Sequence, residues 1–287
     1  MALDHETLAA RRNDGWTSSY TDKDALLYNI AIGMGRDPLD EKELPFVFEE
    51  PELRVVPTGG IIIAHGGGSL YDDVGIDWTG VVHGEQRHTV HRPLPAAAEV
   101  TGSTWVSEIV DKGPEKGALL ITTTECWLAG GEPLYTTESV IFARRNGGFG
   151  GTREQSKEPH VLPTREPDLV HETRTREDQA ALYRLTGDRT HLHIDPGFAA
   201  RAGFPRPILH GMCSYGIACR ALLASVCDYD VARIRQFDVR FSAPVFPGER
   251  ILTDIWLDGE TVSFRCRAPE RDKVVLNNGL CLLNVQG

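Results

Sequence analysis

Positive charge is scarce in these 287 residues: 30 lysines and arginines stand against 41 aspartates and glutamates, a formal charge of −11. That balance excludes a general nucleic-acid or anionic-membrane binder, because counterion release requires a surplus of cations. A phosphorylated ligand would need a local basic pocket. No run of about 18 apolar residues occurs, so no membrane insertion is expected. The opening Met1-Ala2-Leu3-Asp4-His5-Glu6 lacks the cationic start and apolar stretch of an export signal. The closing Asn284-Val285-Gln286-Gly287 lacks a Ser-Lys-Leu-like address. A cytoplasmic protein is therefore expected. Six cysteines (Cys126, Cys213, Cys219, Cys227, Cys266, Cys281) show no CxxC spacing and sit mostly among apolar neighbours, which predicts packed, reduced thiols. A Gly-x-Ser-x-Gly elbow is also missing, so Ala64-His65-Gly66-Gly67-Gly68, similar to an esterase oxyanion loop, has no nucleophile to serve.

What is present is the balance of a globular protein, 41% hydrophobic and 25% charged. The length exceeds a typical domain of roughly 100–200 residues, and self-comparison shows why. Residues 21–33 (TDKDALLYNIAIG) lie over 175–187 (TREDQAALYRLTG), and Gly33 and Gly187 are 154 positions apart. Further on, Pro95 after an alternating run matches Pro247 in the same context, at an offset of 152. One unit is written twice.

In each copy a helical spacing is followed by strand-like stretches, β-branched and bounded by Gly, Pro or charge. They cover 100–110, 118–128 and 134–143 in the first, and 251–257, 261–267 and 274–285 in the second. The Gly-, Pro- and charge-rich stretch 144–167 reads as the connection. This divides the chain into an N-terminal repeat over 1–145, a linker over 146–167 and a catalytic repeat over 168–287. The plan is α+β, a sheet wrapped on a helix, with the two units packed as an internal pseudo-dimer. Residues 211–227 (GMCSYGIACRALLASVC) are apolar throughout, as an enclosed helix must be. At the same register the first copy has 59–70 (GGIIIAHGGGSL), whose five glycines each cost about 1 kcal/mol in a helix. A full helix is not expected there, and its loss leaves room for a long apolar ligand.

The densest polar stretch is residues 183–196 (YRLTGDRTHLHIDP), followed by Pro207-Ile208-Leu209-His210-Gly211. Asp195 before Pro196 reads as a helix cap, closed by Gly203 after a short helix over 196–202. A lone Asp188 reads as a cap or loop residue, and a lone His193 or His210 as structural. Their joint spacing, Gly-Asp, then His five residues on, then His-Gly before a buried helix, points instead to an acid–base site, with His210 kept as structural.

This segment resembles the signature of the hydratase 2 (MaoC-like) family, Gly-Asp-x-Asn-Pro-(Leu/Ile)-His. Gly187, Asp188, Leu192 and His193 stand at the family's Gly, catalytic Asp, apolar residue and catalytic His. Thr190 replaces its Asn and His191 its Pro. The likeness extends over nearly the whole chain and is greatest to the tandem form in multifunctional β-oxidation enzymes. It implies a double hot-dog fold and reversible hydration of a trans-2-enoyl-CoA to the (3R)-3-hydroxyacyl-CoA in acyl-CoA metabolism. It further implies an acyl-CoA substrate with no separate cofactor and no metal, and a homodimer.

Such a reaction takes a proton from water, adds oxygen at Cβ and returns a proton to Cα through an enolate-like state. On this reading His193 exchanges the proton, Asp188 orients the water, Thr190 helps to position it, and the Gly211 N–H at a helix start receives the oxyanion. Asp111-Lys112-Gly113 and residues 146–151 look like family segments near the CoA path, which makes Lys112, Phe149 and Gly150 the CoA-binding candidates, Lys112 supplying charge and Phe149 a stacking face. His83-Gly84-Glu85-Gln86 is family-like too, but falls on a strand. The alternatives are an acyl-CoA thioesterase on the same scaffold, a weak CoA-ester binder if Thr190 disables the water site, and a zinc-dependent hydrolase. The last would use the run from Thr190 to Asp195, similar to a THxHxDH motif in which Pro196 replaces the final ligand.

Overall fold

A computed structural model describes residues 3–284. The first copy contributes strands β1 (Arg12–Tyr20), β2 (Val81–Val90), β3 (Ala98–Asp111), β4 (Ala118–Leu128) and β5 (Pro133–Ala143). The second contributes β6 (Leu169–Arg174), β7 (Ile234–Phe241), β8 (Arg250–Asp258), β9 (Thr261–Ala268) and β10 (Lys273–Leu283). All ten join one antiparallel sheet in the order β1-β3-β4-β5-β2-β7-β10-β9-β8-β6. Replacing each strand of the first copy by its counterpart in the second gives the same order read from the opposite edge. The sequence repeat is thus an approximate two-fold axis between β2 and β7, where Glu85 pairs Arg240, Gln86 pairs Val239 and Thr89 pairs Gln236. The α+β double hot-dog follows from that symmetry.

Six strands were predicted with bounds and residues 83–86 were placed on a strand, which is β2; the added three are β1, β6 and β7. Two of them, β1 and β6, are the sheet edges. An edge strand has one paired side and one open face, so its sequence need not alternate cleanly; β1 is also bulged at Gly15, with φ +68°. The strand predicted over 274–285 ends at Leu283, and Val285 lies outside the described residues.

The helices are α1 (His5–Ala9), α2 (Asp22–Ala31), α3 (Gly60–Ile63), α4 (Gln179–Tyr183), α5 (Pro196–Arg201) and α6 (Gly211–Ser225). A capping box opens α2, with the Thr21 N–H donating to the Asp24 carboxylate at 2.8 Å. Buried residues occur on every side of α6, which packs in the main apolar cluster with Phe237, Phe264 and Ile255 of the sheet and Tyr28 and Phe46 of the first copy. Tyr28 and Tyr183, one from each copy, meet edge to face at 6.4 Å.

A buried ion pair crosses between the copies. Glu43 accepts from Arg220 Nε at 2.8 Å and from the Gly35 N–H at 2.8 Å, and its side chain is 1% exposed. In the first copy the glycine-rich segment is a 3₁₀ turn (Pro57–Gly59), the single turn α3 and then loop. Part of the space is taken by Trp16, whose indole sits between Gly66 and Gly102; a Cβ at either would fall well inside its van der Waals surface. Gly67 faces solvent. The connecting segment crosses the sheet as a strap, with Ser156 held by Glu108, Lys157 by Glu138 and His160 by Ser263.

Candidate active site

The catalytic candidates lie on one short path from α4 to α6. A 3₁₀ turn (Arg184–Thr186) extends α4 and stops at Gly187, whose φ of +140° is open to glycine and strained for other residues. Asp188 follows immediately. Its Oδ1 accepts from the Thr190 hydroxyl at 2.6 Å and the Thr190 N–H at 3.0 Å, which pins the carboxylate and turns Oδ2 inward. Residues His191–His193 form the next 3₁₀ turn, which directs His193 inward and His191 outward.

Buried His193 approaches the Ile208 carbonyl through Nδ1 at 2.9 Å. A carbonyl oxygen only accepts, so Nδ1 carries the proton and Nε2 presents a lone pair. That Nε2 stands 3.9 Å from Asp188 Oδ2, too far for a direct hydrogen bond and suited to one shared through water. Burial lowers the His193 pKa below its ordinary 6.5, outweighing the Ile208 hydrogen bond and the Asp188 charge, which act upward. For Asp188, burial acts upward, but the two bonds from Thr190 and the His210 and His193 charges outweigh it and lower the pKa. A neutral imidazole therefore faces an ionised carboxylate at neutral pH.

His210, read from the sequence as structural, is central to the cluster. Its ring stacks on His193 at 3.7 Å and packs at a tilt against Tyr183 at 4.9 Å, while its Nε2 donates to the Asp188 carbonyl at 3.2 Å. Burial, then the neighbouring His193, push its pKa down to about 4. His210 thus ties the Asp188 backbone to His193. Its signal in the sequence was its part in the joint spacing, His-Gly just before a buried helix.

Gly211 is the first residue of α6, where an N–H has no acceptor within the helix. A Cβ there would stand 3.2 Å from the Phe241 ring, so glycine permits close approach. His83 of the first copy packs on that same ring at 4.5 Å, bringing β2 to the site.

Other expected residues have partners elsewhere. Asp111 accepts from the N–H groups of Gly113, Gly148 and Gly150 at 2.8, 2.7 and 2.6 Å, which joins the two segments expected near CoA. Lys112 donates to the Arg153 carbonyl, and Phe149 stacks on His5 at 4.7 Å. The zinc run does not converge: His191 turns to Phe198, and Asp195 caps α5 by accepting from Gly197 and Phe198. Three potential ligand atoms of Asp188, His193 and His210 do lie within 4.8 Å of one another. Among the described residues no helix is long and apolar enough to cross a membrane, and all six cysteines are buried free thiols.

Residues 159–278 match the MaoC like domain, and residues 18–145 match the MFE-2 hydratase 2 N-terminal domain. The chain is 37% identical over 270 residues to enoyl-CoA hydratase ChsH3 of Mycobacterium tuberculosis, covering 92% of this chain and 93% of that protein. It is 36% identical over 271 residues to the mouse peroxisomal multifunctional enzyme type 2, covering 92% of this chain but only 36% of that longer enzyme. The crystal structure of a MaoC-like dehydratase from Phytophthora capsici superposes with a TM-score of 0.88 at 33% identity, covering 99% of this chain and all of that one. By its sequence over both repeats and by its double hot-dog sheet, the chain belongs to the MaoC-like hydratase 2 family.

Proposed function

We propose that this protein reversibly adds water to a trans-2-enoyl-CoA, giving the (3R)-3-hydroxyacyl-CoA of fatty-acid and related acyl-CoA metabolism. The observation that carries this reading is the open Nε2 of His193 facing Asp188 Oδ2 across 3.9 Å, beside the N-terminus of α6. A water in that gap would give one proton to His193 Nε2 and hydrogen-bond Asp188 through the other. Its oxygen attacks Cβ, and electron density moves to the thioester oxygen, where the Gly211 N–H and the helix dipole receive it. The imidazolium then returns the proton to Cα. Asp188 stays ionised and balances the imidazolium charge, and Thr190 holds its carboxylate in place. The (3R) configuration rests on the relatives named hydratase 2. A cytoplasmic homodimer is the companion proposal, supported for the compartment by the six reduced thiols.

Loss of enoyl absorbance from crotonyl-CoA tests the activity, and chiral analysis of the product tests the hand. Asp188→Asn and His193→Ala should each lower turnover by about 10²–10⁴-fold with the fold retained. The double variant should be little worse than the poorer single one, because both residues act on one water. Release of free CoA without hydration would make the protein a thioesterase, and a (3S) product would overturn the stereochemical assignment.

A further inference from the structure

The acyl-CoA reading poses an electrostatic problem that the catalytic pair does not solve. CoA carries roughly four negative charges, since a phosphate monoester alone holds close to two. The protein carries −11. Around the catalytic turn, however, the balance reverses: residues 184–206 contain Arg184, Arg189, Arg201 and Arg206 against Asp188 and Asp195 alone. Both carboxylates are engaged, Asp188 by Thr190 and Asp195 as a helix cap. Among the described residues none of the four arginines forms an ion pair, which is also true of Arg174, Arg233, Arg235 and Arg240 of the same half, whereas Arg165, Arg176, Arg250, Arg265, Arg267 and Arg271 do.

Aromatic faces hold two of these guanidinium groups, and Arg206 shares its ring with the ion-paired Arg271. Arg201 lies over Phe198 at 5.6 Å, with His191 edge-on to the same ring at 5.9 Å, and Arg206 lies over Phe246 at 5.1 Å. A guanidinium stacked on a ring keeps its in-plane N–H donors free, the geometry that suits a phosphate. The three exposed arginines are fastened to the catalytic frame. Arg189 follows Asp188, Arg201 ends the helix capped by Asp195, and Arg206 comes two residues before the Ile208 carbonyl that orients His193. Lys112 and Phe149, by contrast, are engaged with Arg153 and His5.

We propose that Arg189, Arg201 and Arg206 form a phosphate-binding rim that receives the 3′-phosphate and diphosphate of the CoA thioester, with Phe198 and His191 as the surface for its adenine. This rests on the acyl-CoA reading of the same cleft. The rim supplies the local basic site that the overall charge denies, and it draws the substrate to a mouth where Asp188 is half exposed.

The test compares two thioesters of one acyl group, crotonyl-CoA and crotonyl-pantetheine, the second lacking every phosphate. In the combined variant Arg189→Gln, Arg201→Gln, Arg206→Gln, the KM for crotonyl-CoA should rise at least about tenfold, the minimum expected from one lost charge-assisted hydrogen bond, with kcat little changed. The pantetheine thioester should lose far less. The parent's KM for crotonyl-CoA should rise with salt more steeply than the variant's. Calorimetry with adenosine 3′,5′-bisphosphate, which needs no turnover, should show binding to the parent that the variant lacks. Equal losses of kcat/KM for both thioesters, or unchanged bisphosphate binding, would overturn the rim. If the parent hydrates neither thioester, the hydratase reading fails, while the calorimetry still decides whether these arginines bind the phosphates.

Discussion

Replacing Thr190 by valine isolates one hydrogen bond in the site. Valine keeps the β-branched shape and the backbone N–H, which bonds Asp188 Oδ1 at 3.0 Å, and removes only the hydroxyl that donates to the same oxygen at 2.6 Å. A hydrogen bond to a charged group contributes about 1.5–3 kcal/mol when buried. The Asp188 side chain is 49% exposed, so water replaces much of the lost bond and about 1 kcal/mol remains. That predicts a loss of about fivefold in kcat. Because the Thr190 bonds are the main influences holding the Asp188 pKa down against burial, the variant's pKa should rise, and its deficit should grow as pH falls. Crotonyl-CoA hydration measured from about pH 8 down to about pH 5 reads both effects, with Thr190→Ser, which keeps the hydroxyl, as the comparison. A valine variant as active as the parent, or a serine variant equally impaired, would refute this role for the hydroxyl.

Burial holds the His193 pKa below 6.5, so kcat/KM should be level through neutral pH and fall only on the acid side of that value as His193 becomes protonated. Asp188→Asn removes a charge that acts upward on His193, so the residual activity should fall off at still lower pH; a limb that moved up would contradict the geometry. Glu43→Ala leaves Arg220 buried without its partner and should lower the unfolding free energy in urea by about 3–5 kcal/mol, with part recovered on also replacing Arg220. Failure to recover any of it would argue against the pair as the cause. Gly66→Ala forces Trp16 out of its place between two glycines and should cost about 1–3 kcal/mol, visible as a shift in tryptophan fluorescence; an unshifted spectrum at full stability would show the loop yielding instead.

The features legible in the sequence were those whose causes act over a few residues. Asp195 caps α5 through N–H groups two and three residues on, and Pro196 starts the helix. Glycines interrupt the central helix of the first copy where α6 is continuous in the second. The Gly-Asp of the catalytic run ends one 3₁₀ turn and its His ends the next, only five residues from the Asp. Repetition at an offset near 154 extended this local knowledge to the whole sheet, since two copies of one unit must pack about a common axis.

Tertiary structure alone decided what depends on distant partners. The tautomer of His193 is set by a carbonyl 15 residues away, His210 enters the site by stacking across a loop, and Glu43 meets Arg220 at a separation of 177 residues. The edge strands β1 and β6 could be assigned only by their neighbours in the sheet. Likewise, Arg201 and Arg206 of the proposed rim lie over aromatic rings and, among the described residues, form no ion pair, surroundings that only the packed chain supplies. Local hydrogen bonds and side-chain periodicity are written into neighbouring residues. Contacts between distant segments depend on how the whole chain packs, because burial and charge act through space with no regard to order along the chain.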